Sequence, residues 1–154
     1  MGEDGEDIEA LLQLVKCIPD ATWPKGAYGS SAGVDVYPTE DVHLAPGERT
    51  AVTTGLAFAP PKGVYIRIAE KSGRALQDGL LIMGGVVDPD YQGEIKVILA
   101  NIGKTYIHIP PSKAIAQIIC EKIIFPKIKK VEYFLEETLQ SKKAFGSTDE
   151  NKVD

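Results

Sequence analysis

Gly84-Gly85-Val86-Val87-Asp88-Pro89-Asp90-Tyr91-Gln92-Gly93 is the stretch on which the reading of this chain turns. An apolar run, Leu80–Met83, leads into it, and the β-prone residues 94–99 lead out. Proline restricts the residue before it to extended geometry, so Asp88 enters a turn from a strand. Glycines without a Cβ let another molecule approach the backbone closely. The pattern predicts a hairpin that presents the Asp88 carboxylate beside the Tyr91 ring, a floor for a planar polar ligand. An ordinary hairpin with an exposed Asp-rich turn explains the same ten residues, and this stretch alone does not separate the two.

Beyond the hairpin, the chain from Pro19 onward is a series of short β-prone runs punctuated by glycine and proline. The runs fall at residues 34–37, 49–59, 64–69, 80–83, 94–101, 105–109 and 114–125. Turn signals separate them: Ala45-Pro46-Gly47, Pro60-Pro61-Lys62-Gly63, Asp88-Pro89, Ile102-Gly103-Lys104 and Pro110-Pro111-Ser112. Short strands at this spacing predict an all-β sandwich or barrel. One short helix is expected after Ser72, over residues 73–77, stopping near Gly79. Residues 1–8 read as a disordered acidic tail. For residues 8–16, helical and strand periodicities fit about equally well. After Pro126 the sequence turns charged and offers little apolar periodicity, which predicts a domain over residues 1–126 and a mobile C-terminal arm over 127–154.

The chain's 154 residues suffice for one domain with its own core. No apolar run approaches the ~20 residues needed to span a bilayer, so no membrane partner is expected. The acidic start (Glu3, Asp4, Glu6, Asp7) lacks the pattern of a signal peptide, which predicts an intracellular protein, cytoplasmic or nuclear and not secreted. A net charge of −5 argues against nucleic-acid binding, which requires a basic footprint. Cys17 and Cys120 sit far apart in apolar-rich segments, which predicts buried free thiols. Two histidines without neighbouring ligands disfavour zinc, so any metal is expected to be an oxygen-loving cation such as Mg²⁺.

Three further places carry polar groups suited to chemistry. Asp35, at the start of a strand, either caps its own backbone or holds a hydrated Mg²⁺ through water. Lys71-Ser72-Gly73 opens the short helix, so Ser72 is either an N-cap or, with Lys71 and the first helical N–H groups, part of a phosphate cradle. Gln117 lies inside an apolar strand and needs a partner, either a neighbouring backbone or a ligand. In the tail, Phe145 follows Lys142 and Lys143 and precedes Gly146, a combination able to stack on a ring while cations meet charge.

Taken in order, these stretches resemble the five motifs of the trimeric dUTPase family. Ala32-Gly33-Val34-Asp35 is similar to the first, and Lys71-Ser72-Gly73-Arg74-Ala75 to the second. Gly85-Val86-Val87-Asp88-Pro89-Asp90-Tyr91-Gln92-Gly93 resembles the third, Ile115-Ala116-Gln117-Ile118-Ile119 the fourth, and Ala144-Phe145-Gly146-Ser147-Thr148 the last. The resemblance implies a β-barrel or jelly-roll subunit in a homotrimer, with active sites at subunit interfaces. It implies Mg²⁺-dependent hydrolysis of dUTP to dUMP and pyrophosphate. Asp88 would activate water for attack on the α-phosphorus. Tyr91 would stack beneath the deoxyribose, the backbone from Gly85 through Val86 and Val87 to Asp88 would read uracil, and Lys71, Ser72 and Gly73 would hold phosphates, with Gln117 adding a contact from another subunit. Asp35 would support the metal's water shell. From a neighbouring subunit, Phe145 and Gly146 would cover the uracil.

The chain departs from the family's pattern in places. Lys71 replaces an arginine, keeping its charge without the two-pronged geometry. Arg74 stands at a leucine position, where it adds a cation near the same site, and Gln92 stands at an arginine position. Gln140 stands where the family's phosphate-gripping arginine falls, leaving Lys142 or Lys143 to substitute. Two competing functions follow: a dUTPase-like protein kept for nucleotide binding or signalling without catalysis, and a dCTP deaminase of related fold.

Overall fold

The computed structural model describes residues 10–26 and 30–134. Among the described residues, ten strands and one helix follow in order: β1 (Gln13–Lys16), β2 (Val34–Val36), β3 (Val42–Leu44), β4 (Arg49–Ala59), β5 (Val64–Ala69), α1 (Ser72–Asp78), β6 (Leu80–Met83), β7 (Val86–Val87), β8 (Glu94–Asn101), β9 (Ile107–Ile109) and β10 (Ala116–Lys122). One four-stranded sheet has the order β1-β4-β8-β6 and a second the order β2-β10-β5-β7, with β3 and β9 forming a ribbon. The expected all-β class with one short helix is what forms, as a two-sheet, jelly-roll-like arrangement.

Strand alternation builds the core. On β8, Ile95, Val97 and Leu99 are buried while Lys96 and Ile98 face out. Ile66 and Ile68 of β5, Ile118 of β10 and Leu56 and Phe58 of β4 join the same cluster, so residues of both sheets pack on each other. The buried polar groups are satisfied: Thr54 donates to the Ile95 carbonyl (2.7 Å), and the Asn101 amide donates to Leu44 (3.0 Å) and Thr105 (2.8 Å). Asn101 thereby fastens β8 to the β3–β9 ribbon.

Several expectations change. Residues 13–16 form a strand, paired with β4, which settles the open choice at this segment. The stretch after Met83 is more than a hairpin turn. β6 and β8 do pair antiparallel, with Met83 opposite Ile98, but between them the chain crosses to the second sheet and pairs as β7 with β5. Both cysteines are exposed rather than buried. Cys120 lies near the end of β10, where the apolar face runs out, yet partial burial still raises its thiol pKa above the ordinary value.

The chain divides after Ile124 into two units. In the second, residues 125–134 carry no strand or helix, and Phe125, Ile128, Tyr133 and Phe134 are exposed. The expected disordered N-terminal tail and the final motif lie outside the described residues. No described helix is long and apolar enough to cross a membrane.

Candidate active site

The Asp88 turn is built as the dipeptide requires. Pro89 occupies the second turn position, and the Tyr91 N–H donates to the Asp88 carbonyl at 3.0 Å. The Tyr91 hydroxyl donates to the Glu94 carbonyl (2.8 Å), which leaves the ring, 47% exposed, as an open platform. A Cβ on Gly93 would meet that hydroxyl at 2.7 Å, so glycine there is what lets Tyr91 fold back.

The glycine pair acts differently from the expectation. A Cβ on Gly85 would overlap the Ile68 carbonyl oxygen of the protein's own β5. Gly84 has φ 59°, a left-handed conformation that favours glycine. Both glycines are demanded by the crossing to the second sheet, and the close approach they allow is that of β5. Readable backbone is nevertheless present. The Ile68 N–H donates to the Gly85 carbonyl (2.7 Å), and antiparallel alternation then turns the N–H and C=O of Val86 away from β5. Because β7 is the last strand of its sheet, those groups lie on an open edge. A hollow of about 240 Å³ beside it is lined by Val86, Val87, Asp88, Tyr91, Glu94 and Lys96, among others.

A second cluster forms at the far end of the same sheet. Gln117 on β10 lies opposite Asp35 on one side and Ala69 on the other. Lys71, just past β5, reaches back so that its Nζ lies 2.7 Å from Asp35 Oδ1. The Gln117 amide donates to the Glu70 carbonyl (2.8 Å), which realises the backbone-partner alternative. Its oxygen packs on bare Gly33, where a Cβ would collide with it. Asp35 does not cap its own backbone; its main chain bridges to Lys25 and its carboxylate faces Lys71.

Ser72 is not the N-cap. Lys71 holds that position without a side-chain cap bond, so the Ser72 hydroxyl is exposed and not committed to capping. Gly73 is open as well, with nothing within 4 Å of an added Cβ. Arg74 does not add a free cation, since it pairs with Asp78 one turn along at 3.1 Å. A hollow of about 310 Å³ adjoins Lys71, Gly73 and Arg74. A hollow of about 360 Å³ lies elsewhere, beside Glu40, His43 and Thr50, and no expected site residue lines it.

The two clusters are well separated. Val87 lies opposite Ile66 and β7 runs antiparallel to β5, so the chain reaches Asp88 level with Tyr65. Asp35 and Gln117, on which Lys71 folds back, lie level with Ala69, four residues further on, roughly 13 Å along the strand at about 3.3 Å per residue. Near Asp88, the Tyr65 hydroxyl donates to Glu121 (2.5 Å), and Glu121 pairs with Arg67 (3.2 Å). The hydrogen bond to that carboxylate raises the Tyr65 phenol above its ordinary pKa.

Lys142, Lys143, Phe145 and Gly146 lie outside the described residues. Among the described residues, no group of three or more His, Cys, Asp or Glu side chains is set to hold a metal. A lone carboxylate such as Asp35 fits Mg²⁺ that keeps its waters and takes its other ligands from substrate phosphates, rather than a protein cage. Three groups escaped the sequence reading: Glu70, whose carboxylate accepts from the Ile82 N–H (3.1 Å), and Glu94 and Lys96 in the hairpin hollow. Outward alternation on residues 94–99 was the available signal for the last two.

Known proteins supply the comparison. The family model described as dUTPase matches residues 20–149. The deoxyuridine 5'-triphosphate nucleotidohydrolase of mouse is 36% identical over 149 residues, covering 97% of this chain and 89% of that protein. A mutant dUTPase of Staphylococcus bacteriophage 80alpha, solved with dUpNHpp, superposes with a TM-score of 0.82 at 24% identity, covering 90% of this chain and 98% of that one. A mutant dUTPase from phage phi11 of S. aureus, which coordinates a structural Mg(II) ion, superposes with a TM-score of 0.76 at 22% identity, covering 82% and 99%.

Proposed function

The chain belongs to the dUTPase family, and we propose that it hydrolyses dUTP to dUMP and pyrophosphate at sites that each draw on two copies of the chain. What supports the shared site is that Asp88 and the Lys71 cluster lie toward opposite ends of β5 within one chain, roughly 13 Å apart along the strand. A second copy, in a homotrimer with three equivalent interfaces, brings the missing half to each end.

At the hairpin, the outward backbone of Val86, between Gly85 and Val87, offers a donor and an acceptor to the uracil edge. Tyr91 lies beneath the deoxyribose and leaves no room for a 2′-hydroxyl. Asp88 accepts a proton from a water molecule whose oxygen attacks the α-phosphorus. The bond from that phosphorus to the bridging oxygen breaks, and pyrophosphate leaves. From the other copy, Lys71, Ser72, Gly73 and Gln117 hold the phosphates. Lys71 exchanges Asp35 for the substrate's charge. Asp35 would then hold Mg²⁺ through water, and the metal, when bound, would neutralise charge on the phosphates. Lys142 and Lys143 meet phosphate charge, and Phe145 with Gly146 closes over the base.

Pyrophosphate release from dUTP with Mg²⁺, measured against an Asp88→Asn variant and against dCTP, tests this reading. Release above that of the variant is expected, with dCTP left unconverted. Binding of dUTP with no release above the variant would favour a nucleotide-binding protein, and conversion of dCTP would favour a deaminase.

A further inference from the structure

Glu70 stands one residue before Lys71, beside a site for a polyanion, where a carboxylate is repulsive unless it is turned away. The structure turns it away. Glu70 Oε1 accepts from the Ile82 N–H at 3.1 Å, on β6, which is the last strand of its sheet. That N–H faces outward from the β6–β8 ladder, and Glu70 satisfies it from a residue 12 positions earlier. The same residue's carbonyl accepts from the Gln117 amide at 2.8 Å. Gln117 in turn lies opposite Asp35, which pairs with Lys71. One residue therefore joins the edge of the first sheet to the phosphate end of the second.

We propose that Glu70 is a positioning residue. Its side chain pins the corner between β5 and α1 to β6, and so fixes the carbonyl that orients the Gln117 amide toward substrate phosphate. This rests on the reading of Gln117 as a phosphate contact. Without the carboxylate the Ile82 N–H loses its partner, the corner is held only through the main chain, and the Gln117 amide samples orientations that miss the phosphate. Glu70→Gln keeps an acceptor oxygen at the same reach, whereas Glu70→Ala does not.

The test is a double-mutant cycle on dUTP hydrolysis, with KM and kcat measured separately and Tm recorded for each variant. Glu70→Ala is expected to lower kcat/KM about ten-fold, the size of one hydrogen bond to a charged group read through the rate. Glu70→Gln is expected to restore it to within about two-fold of wild type, since it returns the acceptor. In a Gln117→Ala background, Glu70→Ala is expected to add no further loss, whatever it does to Tm. Should Glu70→Ala fail to fold, Glu70→Asp takes its place, because the shorter carboxylate falls short of Ile82. If Gln117→Ala is defective and the Glu70 defect persists undiminished in that background, the proposal is overturned alone. If Gln117→Ala hydrolyses dUTP as wild type does, the reading of Gln117 fails and the proposal goes with it.

Discussion

Replacing Gly85 by alanine tests the crossing strand that carries the Asp88 turn. The added Cβ would run into the Ile68 carbonyl oxygen, a backbone atom that cannot rotate aside as a flexible side chain would. β7 must then lift from β5, breaking the 2.7 Å bond from the Ile68 N–H to Gly85 and the pairings of Val86 with Arg67 and Val87 with Ile66. Ile68 is buried, so its N–H is left without a ready water partner. Overpacking costs about 1–3 kcal/mol, and an unsatisfied buried N–H about 1–3 kcal/mol more. Because β7 is short and the strand relaxes, a combined loss of about 2–4 kcal/mol is expected. For a chain of this size that lowers Tm by roughly 5–15 °C. Displacing the Val86 edge and Asp88 by about 1 Å should also cut kcat/KM on the order of a hundred-fold. Gly73→Ala is the control for stability, since its Cβ meets nothing within 4 Å and its Tm should hold or rise. A Gly85→Ala protein with wild-type Tm and wild-type kinetics would refute the assignment of Gly85 to the β5–β7 contact.

Two further outcomes are expected. Since the hydrogen bond to Glu121 is the leading cause of the raised Tyr65 pKa, Glu121→Gln should bring one of the six tyrosines down toward the ordinary range in an alkaline ultraviolet titration. The sign for stability follows from the raised folded pKa: what Tyr65 contributes is present below the ordinary phenol range and is lost as pH rises through the folded value. An identical titration curve in the variant would contradict the assignment. Deleting residues 140–154 should lower turnover about ten- to a hundred-fold, the weight of one charged phosphate contact, and unchanged turnover would show the last motif to be dispensable.

Much of the fold was legible. β4, β5, β6 and β8 begin and end where alternation and the flanking glycines and prolines set them. β3, three residues long, is too short for alternation to stand out, and residues 8–16 satisfied two periodicities at once. Ser72 looked like an N-cap because serine favours that position, but the extended backbone at Lys71 (ψ 126°) moved the cap back by one residue. The meaning of Gly85 was hidden because the atom it makes room for, the Ile68 carbonyl oxygen, sits on another strand. Spacing did not show that Asp35, Lys71 and Gln117 meet. They meet because β10 lies between β2 and β5, a consequence of sheet order. The β5–β7 register puts Asp88 toward the other end of β5, which motif order alone did not reveal.

That separation makes subunit complementation the most direct test of a shared site. One variant, Asp88→Asn, loses the hairpin half, and another, Lys71→Met with Gln117→Ala, loses the phosphate half. Each alone should fall below about a hundredth of wild-type turnover. Refolded together in equal amounts, they should recover about a quarter of it, since one interface in four then pairs an intact Asp88 from one copy with an intact Lys71 and Gln117 from another. A mixture no more active than its two components would contradict a site assembled between copies.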